Sequence, residues 1–317
     1  MRIPWLVILI LVHASTGQAL QEQPQELARR VIQNELRTEG QDHSHWMFRL
    51  ETERKNGQME VDELVETNDG DLEFPILIDG RELTTKQKQN SEKRLVQFGQ
   101  NPAALRKTLK DQGEDTARSQ RLLKMLPEAF IFSSGERRGN VVQLIFKPNP
   151  GFHPGSREEQ VFHAMEGSLW VDEKQYRLAE IKGQLIDKVR FGGGLLGHLD
   201  KGGTFDVKQE PVAPGYWELT LLNVQMRGKA LFFKTIAVKQ KYFRSEFKRV
   251  PDDLTIAQAA EMLKKQAGSR RTRWPDNSRP RRSEQAISLP DRCQSYGLER
   301  ASRAVCFRAV LTFHTAP

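Results

Sequence analysis

The sequence predicts an α+β protein in which a long antiparallel meander of strands is combined with a few helices. Apolar and polar residues alternate with a period of two over many short stretches, as in Trp46–Glu51. Turn sequences such as Asn56-Gly57 and Arg227-Gly228 join those stretches by short connections, which favour antiparallel neighbours in chain order. Other stretches have helical spacing instead, so helices are expected to cover part of the sheet.

Residues 1–19 have the layout of a secretory signal peptide. Arg2 supplies a positive charge, Leu6 to Val12 form a short apolar run, and the small residues Gly17 and Ala19 precede a cleavage point. An uncleaved N-terminal anchor is the alternative. We therefore expect cleavage near Ala19 and a mature chain in the periplasm or otherwise outside the cytoplasm, with no transmembrane segment.

Residues 20–267 are predicted to form the body of the protein. An amphipathic helix, Gln23–Leu36, opens it, and helical spacing returns in a charged insertion over residues 84–126. Asn101-Pro102 divides this insertion into two helices, and Pro127 is expected to end the second. The other predicted elements are strands Trp46–Glu51, Met59–Thr67, Leu72–Ile78, Phe130–Ser133, Val141–Lys147, Gln160–Val171, Tyr176–Phe191, Thr204–Gln209, Tyr216–Gln225 and Ala230–Phe247, and a helix Thr255–Ala267.

The positive charge of the chain is concentrated in its C-terminal tail, residues 268–317. The formal net charge is +8, and residues 269–317 contain ten arginines, four acidic residues and no lysine. We expect a solvated tail with little order, and a polyanion-binding arm is the alternative. Both cysteines, Cys293 and Cys306, lie in this tail, and export would permit a disulfide between them.

A glycine-rich stretch resembles the phosphate-binding loop of dinucleotide-binding proteins in its spacing. Gly192, Gly194 and Gly197 spell G-x-G-x-x-G. Such a loop needs a helix directly after it, because the helix N-terminus receives the pyrophosphate. The next stretch, Thr204–Gln209, is strand-like, so we interpret the glycines as turns in the sheet and expect no bound nucleotide.

No group of residues points to catalysis. The histidines lack metal-ligand spacing such as H-E-x-x-H, and Ser133-Ser134-Gly135 lacks the context of a nucleophile elbow. The sequence therefore predicts no enzyme, no metal site and no cofactor. An envelope hydrolase stays open as an alternative, because a catalytic triad can assemble from residues far apart in the chain.

Large apolar side chains stand out on the predicted strands. A sheet curved around a hollow could hold an acyl chain on such side chains, whereas a packed core beneath covering helices is the other explanation. The candidate cavity residues are Trp46, Phe48, Leu50, Trp170, Trp217, Leu219, Phe232 and Phe233.

The middle of the chain resembles a group of uncharacterised exported bacterial proteins. The strongest matches lie between Lys147 and Trp217, and a looser resemblance extends from Glu35 to Arg249. The matching residues are Pro150-Gly151-Phe152 with Pro154 and Ser156, Gly167-Ser168-Leu169-Trp170-Val171-Asp172, Tyr176, Lys201-Gly202-Gly203, Gln209 and Trp217.

In architecture, such proteins are similar to the lipoprotein carriers LolA and LolB and to the stress sensor RseB. The resemblance implies a strongly curved antiparallel sheet, like an unclosed β-barrel, with helices covering its concave side. It suggests a protein that holds an acyl chain, a lipid or a lipoprotein in that concavity, and we expect this protein to be monomeric and non-enzymatic. The alternative is an envelope sensor or interaction module that binds another exported protein. No ligand-contacting residue of those carriers has a counterpart that can be placed in this sequence.

Overall fold

The computed structural model describes residues 22–54, 57–230 and 234–269, and it consists of one large antiparallel sheet with helices on both of its faces. The helices are α1 (Pro24–Gln41), α2 (Thr85–Gly99), α3 (Pro102–Ala129), α4 (Arg157–His163) and α5 (Ile256–Ser269). The strands are β1 (His45–Glu53), β2 (Met59–Val65), β3 (Leu72–Ile78), β4 (Arg81–Glu82), β5 (Phe130–Arg138), β6 (Val141–Pro148), β7 (Met165–Asp172), β8 (Arg177–Leu185), β9 (Val189–Phe191), β10 (Gly197–Leu199), β11 (Thr204–Ala213), β12 (Tyr216–Ala230) and β13 (Lys234–Val250).

The strand order confirms the predicted α+β class and the antiparallel meander. Neighbouring strands run β4-β3-β2-β1-β13-β12-β11-β8-β7-β6-β5, and the short β10 adds to β12 and pairs with β9. The first and last long strands are thus neighbours, since His45 of β1 lies opposite Val250 of β13. The sheet is open, with β4 and β5 at its edges, and the described strands neither close nor curl strongly.

Two hydrophobic cores lie on opposite faces of this sheet. The main core lies beneath α1 and the C-terminal part of α3, and it extends over most strands; its buried members include Val31, Phe48, Leu126, Leu169 and Leu222. The second core lies beneath α2 and α5 at the β1–β3 end of the sheet; its buried members include Met47, Val65, Phe74, Leu95 and Leu263. Alternation along β1 explains both, because Phe48 and Met47 point to opposite faces.

Helix α1 also protects an edge of the sheet. The Gln25 side chain donates from Nε2 to the carbonyl of Phe130 at 3.2 Å, and its Oε1 accepts from the Phe132 N–H at 3.2 Å. Both backbone groups belong to the edge strand β5. The amide of Gln25 therefore pairs with β5 as a neighbouring strand would, and this blunts an edge that would otherwise be open to pairing.

Several predicted boundaries were wrong. Arg227-Gly228 is not a turn but lies inside β12, where both residues pair with β13, so the chain turns only after Ala230. Residues 160–163 form part of α4 rather than a strand, because the Ser156 hydroxyl accepts from the Glu159 N–H at 3.1 Å and caps a helix there. Pro127 does not end α3, which continues to Ala129. The single strand predicted over Tyr176–Phe191 is two strands, β8 and β9.

Several predictions fall on residues outside the described ranges. They are the signal peptide, the Arg-rich tail with Cys293 and Cys306, and the candidate cavity residues Phe232 and Phe233. Over the ranges that are described, no helix has both the length and the apolar character needed to cross a membrane.

Candidate functional site

The helices of the charged insertion form an open groove with the C-terminal helix. Helices α2, α3 and α5 surround a space of about 620 Å³, which we call the helical groove. Its apolar lining comes from all three helices: Leu95 and Val96 of α2, Leu105 and Leu109 of α3, and Ile256 and Ala260 of α5. The groove therefore presents an apolar surface built from segments that are distant in the sequence.

Local sequence signals position each of the three helices. Thr84 caps α2, because its hydroxyl oxygen accepts a hydrogen bond from the Gln87 N–H. In return, the Thr84 N–H donates to the side-chain Oε1 of Gln87. Asn101 caps α3 with a bond from the Ala104 N–H at 3.0 Å, and Pro102 occupies the first helical turn. Thr255 and Gln258 make the same reciprocal pair at the start of α5.

The base of the groove belongs to the second core. Leu95 and Ala260 are buried there, and Leu105 packs against that core from α3. Higher on the walls, Val96 and Leu109 are 37% and 38% exposed, respectively. An apolar ligand could cover these two side chains without displacing the core beneath them.

Charged side chains surround the apolar part of the groove. Arg106 and Lys264 are the cations, and Asp69 and Glu261 are the acids. Lys264 Nζ lies 2.8 Å from Glu261 Oε1, and this hydrogen bond lowers the pKa of Glu261. Within the described part of the chain, Arg106 has no ion-pair partner, so its guanidinium is available to an anionic group.

The structure brings together four of the eight residues that the sequence predicted to line a ligand cavity. Trp46, Phe48, Leu50 and Leu219 all belong to the main core and are each less than 5% exposed. They lie in the same cluster as side chains of α1 and α3, so helices cover them in this conformation.

Two other nominated residues lie apart from that cluster. Trp170 stands between Leu169 and Val171, which both belong to the main core, so its side chain points to the opposite face. The Arg138 guanidinium covers its ring at 4.1 Å. Trp217 is partly exposed, and its indole N–H donates to Gln175 Oε1 at 3.2 Å.

The glycine-rich stretch forms turns, as the sequence predicted. Gly192–Gly194 make a single 3₁₀ turn between β9 and β10, and β10 begins at Gly197 without an intervening α-helix. The Gly202-Gly203 pair then leads into β11. The spacing G-x-G-x-x-G is therefore carried by a hairpin and not by a strand–helix unit.

The helical groove was not anticipated from the sequence, although its three helices were. Leu105, Leu109, Ile256 and Ala260 follow helical spacing, which indicates a buried face but does not identify the element that covers it. In the described ranges, no three His, Cys, Asp or Glu side chains lie close enough together to hold a metal ion.

Comparison with known proteins adds no family to this description. No family model, no curated protein and no solved structure matches the chain.

Proposed function

We propose that this chain is a non-enzymatic binding protein of the cell envelope that holds an acyl chain of a lipid or lipoprotein. The observation that supports this most directly is the helical groove, an apolar space of about 620 Å³ that opens to the surface. Pockets that take small molecules commonly measure about 300–1,000 Å³. The envelope location rests on the predicted signal peptide.

Burial of an acyl chain in the groove would provide enough free energy for binding. Each buried methylene contributes about 0.8 kcal/mol, so a chain of a dozen carbons would gain roughly 10 kcal/mol before ordering costs. Val96 and Leu109 are the side chains whose exposed surface such a ligand would cover. The neighbouring leucines, Leu95 and Leu105, would form the floor.

The charges around the groove favour a ligand with an anionic head group. Arg106 can donate two parallel hydrogen bonds to a carboxylate or phosphate, which a lysine cannot do. Lys264 is already engaged by Glu261. We therefore assign the head-group contact to Arg106 and the acyl contact to Leu109 and Val96.

A second candidate site is the face of the sheet that α1 covers, where the resemblance to the lipoprotein carriers would place an acyl chain. Trp46, Phe48, Leu50 and Leu219 would then contact the acyl chain after α1 moves away, and α1 would compete with the ligand. The Glu35→Gln substitution distinguishes the two sites, because Glu35 holds α1 to β8. Loosening α1 would strengthen binding beneath it and would leave binding in the helical groove unchanged.

Native mass spectrometry of the mature protein purified from a bacterial envelope tests the proposal. We expect a bound mass that organic extraction identifies as a lipid or fatty acid, and we expect delipidated protein to bind dodecanoate. Arg106→Glu should weaken dodecanoate binding, whereas Arg121→Glu, a charge change on the same helix outside the groove, should not. A protein that carries no lipid and binds no dodecanoate would overturn the proposal and favour an interaction module.

A further inference from the structure

The turn between β9 and β10 presents two leucines to solvent. Leu195 is 64% exposed and Leu196 is 44% exposed. The neighbouring Phe191 and Leu199 are buried in the main core. The same segment therefore places some apolar side chains in the core and others in solvent. Surface leucines are common singly, and this adjacent pair concentrates exposed apolar surface at one point of a tight turn.

The backbone of this turn is built to keep the leucines outside. Gly192, Gly193 and Gly194 have φ angles of +57°, +66° and +99°, a run that costs any other residue about 1–2 kcal/mol at each position. The Leu195 N–H donates to the Gly192 carbonyl at 3.1 Å, and the Leu196 N–H donates to the Phe191 carbonyl at 3.2 Å. Leu195 and Leu196 are therefore held on a closed turn and not on a loose loop.

Cations line the sheet surface next to this turn. Arg190, His198 and Lys229 lie directly opposite one another across β9, β10 and β12, and all three point away from the main core. Arg227 lies two residues before Lys229 on the same face of β12, and it is exposed like Arg190 and Lys229. We call Leu195, Leu196, Arg190, Arg227 and Lys229 the β9–β10 patch.

The nearby acid leaves these cations available. Asp200 Oδ1 lies 3.3 Å from His198 Nε2 and 3.6 Å from Lys188 Nζ. No ion pair joins Arg190, Arg227 or Lys229 to a carboxylate among residues 22–54, 57–230 and 234–269. The patch thus combines exposed aliphatic groups with three uncompensated positive charges.

We propose that the β9–β10 patch binds the surface of an anionic lipid bilayer. Leu195 and Leu196 insert among the acyl chains at the interface, and Arg190, Arg227 and Lys229 contact the phosphate head groups. Each cation near an anionic surface contributes about 1 kcal/mol, and the inserted leucine surface adds a comparable amount. Nucleic acid fits less well, because stacking on bases needs aromatic rings where this turn has leucines. The inference does not depend on the helical groove.

Sedimentation with vesicles tests the proposal. The mature protein should bind vesicles of phosphatidylcholine with phosphatidylglycerol, should bind pure phosphatidylcholine vesicles far less, and should be released by salt. The double variant Arg190→Glu with Lys229→Glu should weaken binding at least about tenfold. Lys110→Glu changes an exposed cation on α3 and should leave binding unchanged. Equal binding to neutral and anionic vesicles, or none to either, would overturn the proposal, and the second result would favour a protein partner.

A spectroscopic variant tests the insertion of the leucines separately. In the Leu195→Trp variant, the fluorescence emission of the new tryptophan should shift to shorter wavelength when anionic vesicles are added. Tryptophan in place of Ile131, which is exposed on the edge strand β5 away from both the patch and the helical groove, should show no such shift. An unshifted spectrum from the Leu195→Trp protein would contradict the insertion, even if the protein sediments with the vesicles. Because acyl binding in the groove is measured with dodecanoate, failure of either proposal leaves the other intact.

Discussion

Glu35 of α1 and Arg177 of β8 form a buried ion pair that joins the first helix to the middle of the sheet. Arg177 Nε donates to Glu35 Oε1 at 2.7 Å and Nη2 donates to Oε2 at 3.2 Å, while the Leu178 N–H donates to the same Oε1 at 2.7 Å. The two side chains are only 8% and 10% exposed. Glu35 therefore fixes the position of α1 above the main core.

Loss of the Glu35 carboxylate should destabilise the protein strongly. Glu35→Ala leaves the Arg177 guanidinium buried without its counter-ion, and breaking a buried pair in this way costs about 3–5 kcal/mol. Urea denaturation followed by circular dichroism measures the change. Glu26→Ala removes an exposed pair with Arg29 on the same helix and should cost less than about 1 kcal/mol. Equal effects of the two substitutions would mean that α1 is not held by this contact.

A buried acid should make stability fall as the pH rises. Burial, followed by repulsion from Glu73 and Glu60, raises the pKa of Asp62 well above its ordinary value of 3.8, although Arg54 and Arg94 oppose this. The folded state then binds a proton more tightly than the unfolded chain. The stabilisation that this tighter proton binding provides is complete below the pKa of Asp62 in the unfolded chain. It is lost as the pH rises through the pKa of Asp62 in the folded protein.

Asp62→Asn should therefore gain stability relative to the wild type as the pH increases. The asparagine side chain is neutral at every pH, so it avoids both the cost of burying a charge and the repulsion from Glu73 and Glu60. Urea denaturation of both proteins from acidic to neutral pH measures the difference between their unfolding free energies. If the difference is independent of pH, or changes in the opposite direction, then folding does not raise the pKa of Asp62.

Two glycines should respond in opposite ways to alanine. Gly113 lies inside α3 with no atom within 4 Å of an added Cβ, so Gly113→Ala should stabilise the protein by about 0.5–1 kcal/mol. At Gly167 of β7 the added Cβ would lie 2.0 Å from the Lys182 carbonyl oxygen of β8. Gly167→Ala should therefore lower the melting temperature and speed amide exchange along β7 and β8. A tolerated alanine at Gly167 would mean that β7 and β8 do not approach so closely.

Local signals in the sequence were sufficient for most elements. Asn101-Pro102 marked the break between α2 and α3 correctly, because a cap and a proline in the first turn act within a few residues. Ser156 is a capping residue of the same kind at the start of α4, but the residues after it were predicted to form a strand. Val161 and Phe162 are adjacent and both buried, a pattern that fits a buried strand as well as a helix.

Contacts between elements that are distant in the chain could not be predicted from the sequence. Nothing in the spacing of Ile256 and Ala260 shows that α5 packs beside α2 and α3, so the helical groove was missed. Trp170 was nominated with Trp46 although the two lie on opposite faces. Its neighbours Leu169 and Val171 are also apolar, and in such a run alternation does not tell which face is the inner one.

The affinity of the protein for a dansyl-labelled undecanoate, with one variant in the groove and one outside it, tests the proposed function most directly. Leu109→Asp places a charge on the groove wall, and Ile131→Asp places one at a residue that is 53% exposed on the edge strand β5. We expect the wild type and Ile131→Asp to bind alike and Leu109→Asp to bind at least about tenfold more weakly. Equal affinities of all three proteins, or no binding by the wild type, would contradict an acyl site in the helical groove.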